Sequence, residues 1–243
     1  MLQAVHSTQV PLRGPIAAKA APQTVTVPPR DRLAALAVHR RLRAKETAFY
    51  EGDAADALFE VVGGVLKLYK LLPDGRRQIT GFAYPGSWVG IGLCDTYAYT
   101  AEAVTDVTLI RYPRARLESL YDEVPGLARR ILSLTAAELA TAQDQMLLLG
   151  RKSAMEKIAS FLLRLSEQAE ERGDDACELS LPMSRTDIGD YLGLTIETTC
   201  RVLSQLCRMG VIEMCGRNRI RLRDPDQLAD LAEGEALSSA SML

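Results

Sequence analysis

Between Ser184 and Ile212 the chain reads SRTDIGDYLGLTIETTCRVLSQLCRMGVI, and no other segment constrains the architecture as tightly. Ser184 with Asp187 three residues on predicts a capping box, Asp standing in for the usual Glu. Ile188 and Leu192 are four apart, on one face of a short helix. Gly193 suits the tight turn that follows, and Thr195 is a candidate N-cap for a second helix. Val202, Leu203 and Leu206 give that second helix its apolar face. The segment therefore predicts a helix-turn-helix.

Glu197, Cys200 and Arg201 fall at i, i+3 and i+4, so they share another face near the N-terminal end of the second helix, beside Ile196. That end of a recognition helix meets base edges in the major groove. Arginine can donate two hydrogen bonds to guanine, and a carboxylate can accept from cytosine. Ile196, Glu197, Cys200 and Arg201 are thus the candidate base-reading residues. An ordinary surface pair of Glu197 with Arg201 is the alternative; the cap, the turn glycine and the apolar spacing favour base reading. Next, Val211 to Met214 and Arg219 to Leu222 flank Cys215-Gly216-Arg217-Asn218. Ile212, Met214, Ile220 and Leu222 alternate with polar residues, as a hairpin with one buried face requires. Such a wing can place Arg217 on phosphate, giving affinity without sequence information. Arg219 and Arg221 fit either phosphate contact or a solvated basic edge.

The net charge of −2 does not advertise a nucleic-acid binder, but the charge is uneven. Residues 180–223 hold seven Arg against four acidic residues, a local balance of +3. The last twenty residues hold five acidic residues and no Lys or Arg, so an acidic tail hides a basic segment. Five scattered Cys (94, 177, 200, 207, 215) without a CxxC pair fit reduced thiols in a cytoplasm. No apolar run reaches transmembrane length, and no secretory signal is recognisable. With only His6 and His39, a His-based metal site or a Ser-His-Asp triad is hard to assemble. There is no phosphate-cradling glycine loop or nucleophile elbow either, so neither catalytic residues, metal ligands nor a cofactor are expected, and the chain does not read as an enzyme.

Residues 1–30, rich in Ala, Pro and Thr, read as a flexible arm. A short helix is expected over Arg32 to His39. From Leu42 to Tyr112, short apolar or alternating runs at 58–62, 65–69, 78–82 and 107–110 are punctuated by turns, among them Pro73-Asp74-Gly75. That predicts an antiparallel roll over 31–125, with a hairpin at the Pro-Asp-Gly turn. A short helix follows at 113–122, and Pro125-Gly126 opens a long one over 126–150. In it Ala128, Leu132, Thr135, Leu139, Ala142, Met146 and Leu149 recur at steps of four and three, the spacing of a coiled-coil dimer seam. A helix packed on its own domain would give the same spacing. Another amphipathic helix is expected at 151–170, and a strand at Leu179 to Met183. The expected class is α+β: a β-roll, a dimerisation helix, a winged helix-turn-helix over 151–223 and an acidic tail over 224–243.

This order resembles the Crp/Fnr family of bacterial transcription regulators over roughly residues 32–223. The stretch from Asp187 to Thr198 and the stretch from Ala142 to Leu149 are close to its FixK-like branch. The resemblance implies a jelly roll of the cyclic-nucleotide-binding kind and a homodimer on a palindromic double-stranded operator. It implies that Glu197 and Arg201 read a TTGAT-type half-site, that Ser184, Arg185 and Thr186 contact phosphate, and that the bound dimer recruits RNA polymerase. Its targets would be microaerobic, denitrification or nitrogen-fixation genes. The branch usually has Ser where this chain has Cys200, which puts recognition of the outer thymines in doubt.

The resemblance also frames the signal. The family's cyclic-nucleotide sites use a Glu and an Arg, and here Ile91 and Tyr99 stand at those positions. A buried cyclic phosphate without its cation would be poorly compensated, which argues against cyclic AMP. An iron–sulfur cluster needs four thiolates, and residues 1–50 contain no Cys. Haem sensing through His39, in a ligand-dependent relative of the same family, is the alternative. Cys200 is also a candidate redox site, since oxidation there would set a bulky or anionic group against DNA. A disulfide to Cys207 is excluded by distance, roughly 10 Å along one helix.

Overall fold

Two four-stranded antiparallel sheets form the N-terminal half of the computed structural model, which describes residues 33, 35–92, 95–121, 123, 124 and 126–234. The four expected runs become β3 (Ala57–Gly63), β4 (Leu66–Leu71), β5 (Arg77–Ala83) and β8 (Val107–Pro113). Four shorter strands join them: β1 (Val38–Leu42), β2 (Thr47–Phe49), β6 (Trp88–Val89) and β7 (Thr100–Ala103). One sheet runs β1-β8-β3-β6 and the other β2-β7-β4-β5. Phe49, Phe59, Val61, Leu66, Val89, Tyr97, Val107 and Leu109 fill the space between them. Closing two sheets face to face buries the alternating apolar residues that the sequence carries, the logic of a jelly roll. Pro73-Asp74-Gly75 turns β4 into β5 as expected, with Gly75 at φ +83° and Leu71 opposite Arg77.

The helix expected over Arg32 to His39 needs correction. Leu33, Ala35 and Leu36 are helical, but Val38 and His39 belong to β1, opposite Arg111 and Ile110 of β8. The free edge of β8 offers a ladder of hydrogen bonds, and β-branched Val38 suits extended backbone. Leu33 docks in a small cluster with Leu58, Tyr112, Leu117, Val124 and Leu127. The arm over 1–30, Cys94, Pro125 and residues 235–243 lie outside the described residues.

After α1 (Arg114–Glu118) comes the long helix α2 (Leu127–Arg151), which starts at Gly126 in left-handed backbone. It buries only Leu127, Gln145 and Leu148 in this chain. Lys152 is extended and ends it. Ser153 then caps α3 (Ala154–Glu171) in a reciprocal capping box with Glu156. Lys152 Nζ also donates to Ser160 Oγ at 2.7 Å and to the Ala232 carbonyl at 3.0 Å.

Met155, Ile158, Phe161, Leu162 and Leu165 of α3 form the centre of the C-terminal core. The expected acidic tail from 224 is in part a scaffold helix: Asp224 caps α6 (Pro225–Glu233), whose Leu228, Leu231 and Ala232 are buried in that core. Its acidic residues Asp226, Asp230 and Glu233 stay exposed. Charge count alone missed the Asp-Pro start signal and the Leu228/Leu231 spacing.

Candidate nucleic-acid interface

The segment that dominates the sequence folds as read. Ser184 Oγ accepts from Asp187 N–H at 3.0 Å and Asp187 Oδ2 accepts from Ser184 N–H at 3.1 Å, closing the capping box of α4 (Arg185–Leu192). Gly193 terminates α4 at φ +63°, ψ +41°, a left-handed conformation that side chains with a Cβ rarely adopt. Thr195 Oγ1 accepts from Thr198 N–H at 3.2 Å and starts α5 (Ile196–Arg208).

Along α5 the apolar residues Val202, Leu203 and Leu206 are buried, while Glu197, Cys200, Arg201 and Ser204 are exposed. Ile196 is 44% exposed, an uncovered β-branched side chain beside Glu197. The four candidate base-reading residues therefore lie together on the first two turns, on the face the protein leaves open. The helix N-terminus beside them carries partial positive charge that favours approach of an anion.

The candidate phosphate residues are distributed around this face. Ser184 and Thr186 are exposed at the start of α4, and Ser184 Oγ also donates to Asp187 Oδ2 at 2.6 Å. Arg185 is half-buried, its guanidinium 3.7 Å from Met214 Sδ in the wing. Met214 is nonetheless 37% exposed, against the expectation that it joins the buried wing face with Ile212, Ile220 and Leu222. The wing pairs β10 (Ile212–Met214) with β11 (Arg219–Leu222), and β11 with β9 (Glu178–Ser180). Arg217 is exposed in its turn. Arg221 pairs with Glu178 and Arg223 with Glu213, so those two cations are already engaged.

Three supports of the interface were not legible from residue types. Thr199 is fully buried and returns its hydroxyl to the Thr195 carbonyl at 3.0 Å, anchoring the first turn of α5. Gln145 of α2 donates to the Tyr191 carbonyl at 2.9 Å. Lys67 and Arg77 of the roll pair with Asp187 and Asp190. The signals in the sequence were faint: a threonine four residues after the N-cap, and a glutamine just before the apolar run Met146 to Leu149.

Comparison with known proteins decides the family. Residues 156–231 match the model of a Crp-like helix-turn-helix domain, and residues 39–124 match that of a cyclic nucleotide-binding domain. The nitrogen fixation regulation protein FixK of Bradyrhizobium diazoefficiens is 45% identical over 187 residues, 77% of this chain and 78% of its own length. The chain belongs to the Crp/Fnr family. The transcriptional activatory protein AadR of Rhodopseudomonas palustris is 40% identical over 81% of this chain and 82% of AadR. The solved structure of FixK2 from Bradyrhizobium japonicum superposes with a TM-score of 0.76 at 41% identity, covering 80% of this chain and 96% of that one. Crp/Fnr proteins are DNA-binding transcription regulators, and this member carries both the roll and the helix-turn-helix.

In this Crp/Fnr chain a cavity of about 470 Å³ lies between the roll and α2. Trp88, Ile91, Tyr99 and Glu138 are among the residues that line it. The Tyr99 hydroxyl accepts from Gly90 N–H at 3.0 Å, and burial pushes that phenol well above its ordinary pKa, with the Glu138 carboxylate adding to the rise. Lys70 is the one cation among the described lining residues, and it pairs with Glu51 at 3.0 Å. His39 is exposed on β1. Among the described residues no group of three or more His, Cys, Asp or Glu could hold a metal, and no helix is long and apolar enough to cross a membrane.

Proposed function

We propose that this protein is a cytoplasmic, homodimeric transcription activator that reads a TTGAT-type palindrome and recruits RNA polymerase without cyclic AMP. Its targets by likeness to FixK are microaerobic, denitrification or nitrogen-fixation genes. One observation carries the reading: Ile196, Glu197, Cys200 and Arg201 stand exposed together at the N-terminal end of α5, where hydrogen-bonding side chains can reach base edges. Exposed Ser184, Thr186 and Arg217, with Arg185 beside the wing, supply phosphate contacts that set register.

The uncovered face of α2 supports a homodimer. Leu132 is 70% exposed, Leu139 60% and Met146 65%, with Thr135 and Ala142 exposed between them. Leu149 departs from the seam, because it is half-buried against the C-terminal core near Gly193. Apolar side chains at seam spacing on an otherwise bare helix gain most from a second copy.

The cavity chemistry supports independence from cyclic nucleotides. A cyclic phosphate needs a cation; by resemblance Tyr99 stands at the family's Arg position, and its hydroxyl is already bonded to Gly90 N–H. Glu138 brings negative charge to the same space. These residues do not fit the ligand that the domain's family name implies.

Footprinting on genomic fragments, with and without millimolar cyclic AMP, tests the proposal. Protection of a two-fold symmetric TTGAT-type site, unchanged by the nucleotide, is expected. Protection that requires cyclic AMP, or no sequence preference at all, overturns it. An absorbance spectrum separates off a haem-bearing sensor, which would show a Soret band.

A further inference from the structure

We infer that Lys67, Arg77 and Gln78 of the roll, with Gln145 of α2, are positioning residues that hold the reading helix at a fixed angle to the dimer helix, and so set which half-site spacing the dimer accepts. The inference rests on the function proposed above.

The argument starts from the needs of α4. A helix leaves its last four carbonyls and first four N–H groups without partners inside itself. At the C-terminal end of α4 the Gly189 carbonyl is met locally, by Gly193 and Leu194 N–H. The next two are met from elsewhere in the fold. Gln78 Nε2 donates to the Asp190 carbonyl at 2.7 Å, and Gln145 Nε2 donates to the Tyr191 carbonyl at 2.9 Å. The roll and the long helix therefore act as the cap of the first helix of the DNA-binding motif.

The acidic side chains of α4 are held by the same neighbours. Arg77 grips Asp190 Oδ2 through Nε at 3.1 Å and Nη2 at 2.8 Å, and reaches Asp187 Oδ1 from Nη2 at 2.9 Å. Lys67 Nζ lies 3.2 Å from Asp187 Oδ1 and 3.0 Å from Glu102 Oε1. The Lys67 and Asp187 side chains are each only 10% exposed. Beneath them Tyr191 meets Phe82 of β5 edge-on, with ring centroids 5.4 Å apart. Buried, multiply bonded charges add little net stability, because desolvation offsets much of their attraction, but they are strict about geometry. The arrangement is what a device for orientation needs.

Fixing α4 fixes α5, since Leu194 N–H is bonded to the Gly189 carbonyl across the turn. The covalent link from α2 to the DNA-binding module is the single extended residue Lys152 with Ser153. Such a link alone would let the module swing. On B-DNA each added base pair displaces a half-site by roughly 3.4 Å and turns it by about 35°. A swinging module could follow that change; a clamped one cannot.

The test is fluorescence anisotropy of the full-length protein on TTGAT palindromes whose spacer is optimal, one base pair shorter or one longer, and on a random duplex. Wild type should prefer the optimal spacer by about tenfold or more, and Arg77→Met and Lys67→Met should cut that preference to roughly threefold by relaxing the geometry. Arg77→Lys, which keeps the charge but not the two-nitrogen grip on Asp190, should retain only part of the preference. The charge swap Arg77→Asp with Asp190→Arg should recover it relative to Arg77→Asp alone. Near-UV circular dichroism and sedimentation confirm that each variant is a folded dimer. Unchanged spacing preference in both Met variants overturns the inference, as does an equal weakening on every palindrome, which would mark the contact as stabilising only. A wild-type protein that binds the palindromes no better than random DNA sinks the functional reading itself, and is distinguished by needing no variant.

Discussion

A Cβ on Gly189 would sit 2.7 Å from the carbonyl oxygen of Leu194, closer than real Cβ atoms come to backbone oxygen. The turn that leads into α5 can pass this close to α4 only because position 189 has no side chain. The contact is against backbone, so no rotamer change relieves it. Gly189→Ala should destabilise the protein by about 1–3 kcal/mol despite alanine's better helix propensity, as overpacking does. Urea unfolding measures this, and a variant as stable as wild type would contradict the close approach.

Arg201 is exposed on the open face of α5, with Glu197 one turn before it. Removing its guanidinium should cost specific binding about 1–3 kcal/mol per half-site while leaving most salt-dependent binding to random duplex intact. Anisotropy titrations on both duplexes at several salt concentrations give the two numbers. Equal losses on both would mean that Arg201 contacts phosphate and reads no base.

Leu139 and Met146 lie two turns apart on the bare face of α2, and both are largely exposed. Leu139→Glu with Met146→Glu should yield a monomer, since charge in an apolar seam is costly to bury against a partner. Sedimentation velocity reads the mass directly. An unchanged dimer would place the interface elsewhere.

Asp187 gives a pH dependence whose sign is fixed by its surroundings. Burial alone would raise its pKa. The hydrogen bonds from Ser184 and the ammonium of Lys67 outweigh that, and the carboxyl ends below an ordinary aspartate. A folded-state pKa below the unfolded value stabilises the fold above the unfolded value, about 3.9, and that stability is lost as pH falls through the folded one. The stability gap between wild type and Asp187→Asn should therefore be constant from neutral pH down to about 4 and narrow below it. Urea midpoints measured across that range would refute the assignment if the gap stayed flat in acid.

The parts of this fold that were legible in the sequence are those specified locally. The capping box at Ser184, the left-handed turn at Gly193 and the Val202/Leu203/Leu206 face each depend on residues within a turn or two of one another. The Pro73-Asp74-Gly75 hairpin is of the same kind. Short edge strands were missed because partners distant in the chain decide them: Val38 and His39 are strand residues only because β8 lies alongside. The open face of α5 was readable from i, i+3, i+4 spacing. Its supports were not, since nothing near Lys67 or Arg77 indicates an acidic helix more than a hundred residues later. The tail was misjudged for another reason: Asp226, Asp230 and Glu233 dominate its charge, while Leu228 and Leu231 decide its structure.

The bond from Lys152 to the Ala232 carbonyl gives that last helix a reach beyond its own packing. A nonsense allele at codon 224 would still encode all the candidate base-reading and phosphate residues. It would nonetheless remove the carbonyl that holds Lys152 of the linker and strip Leu228 and Leu231 from the base of the core. Such a truncation should behave genetically as a null, and an affinity handle belongs after Gly234, where it leaves the Lys152 bond to Ala232 intact.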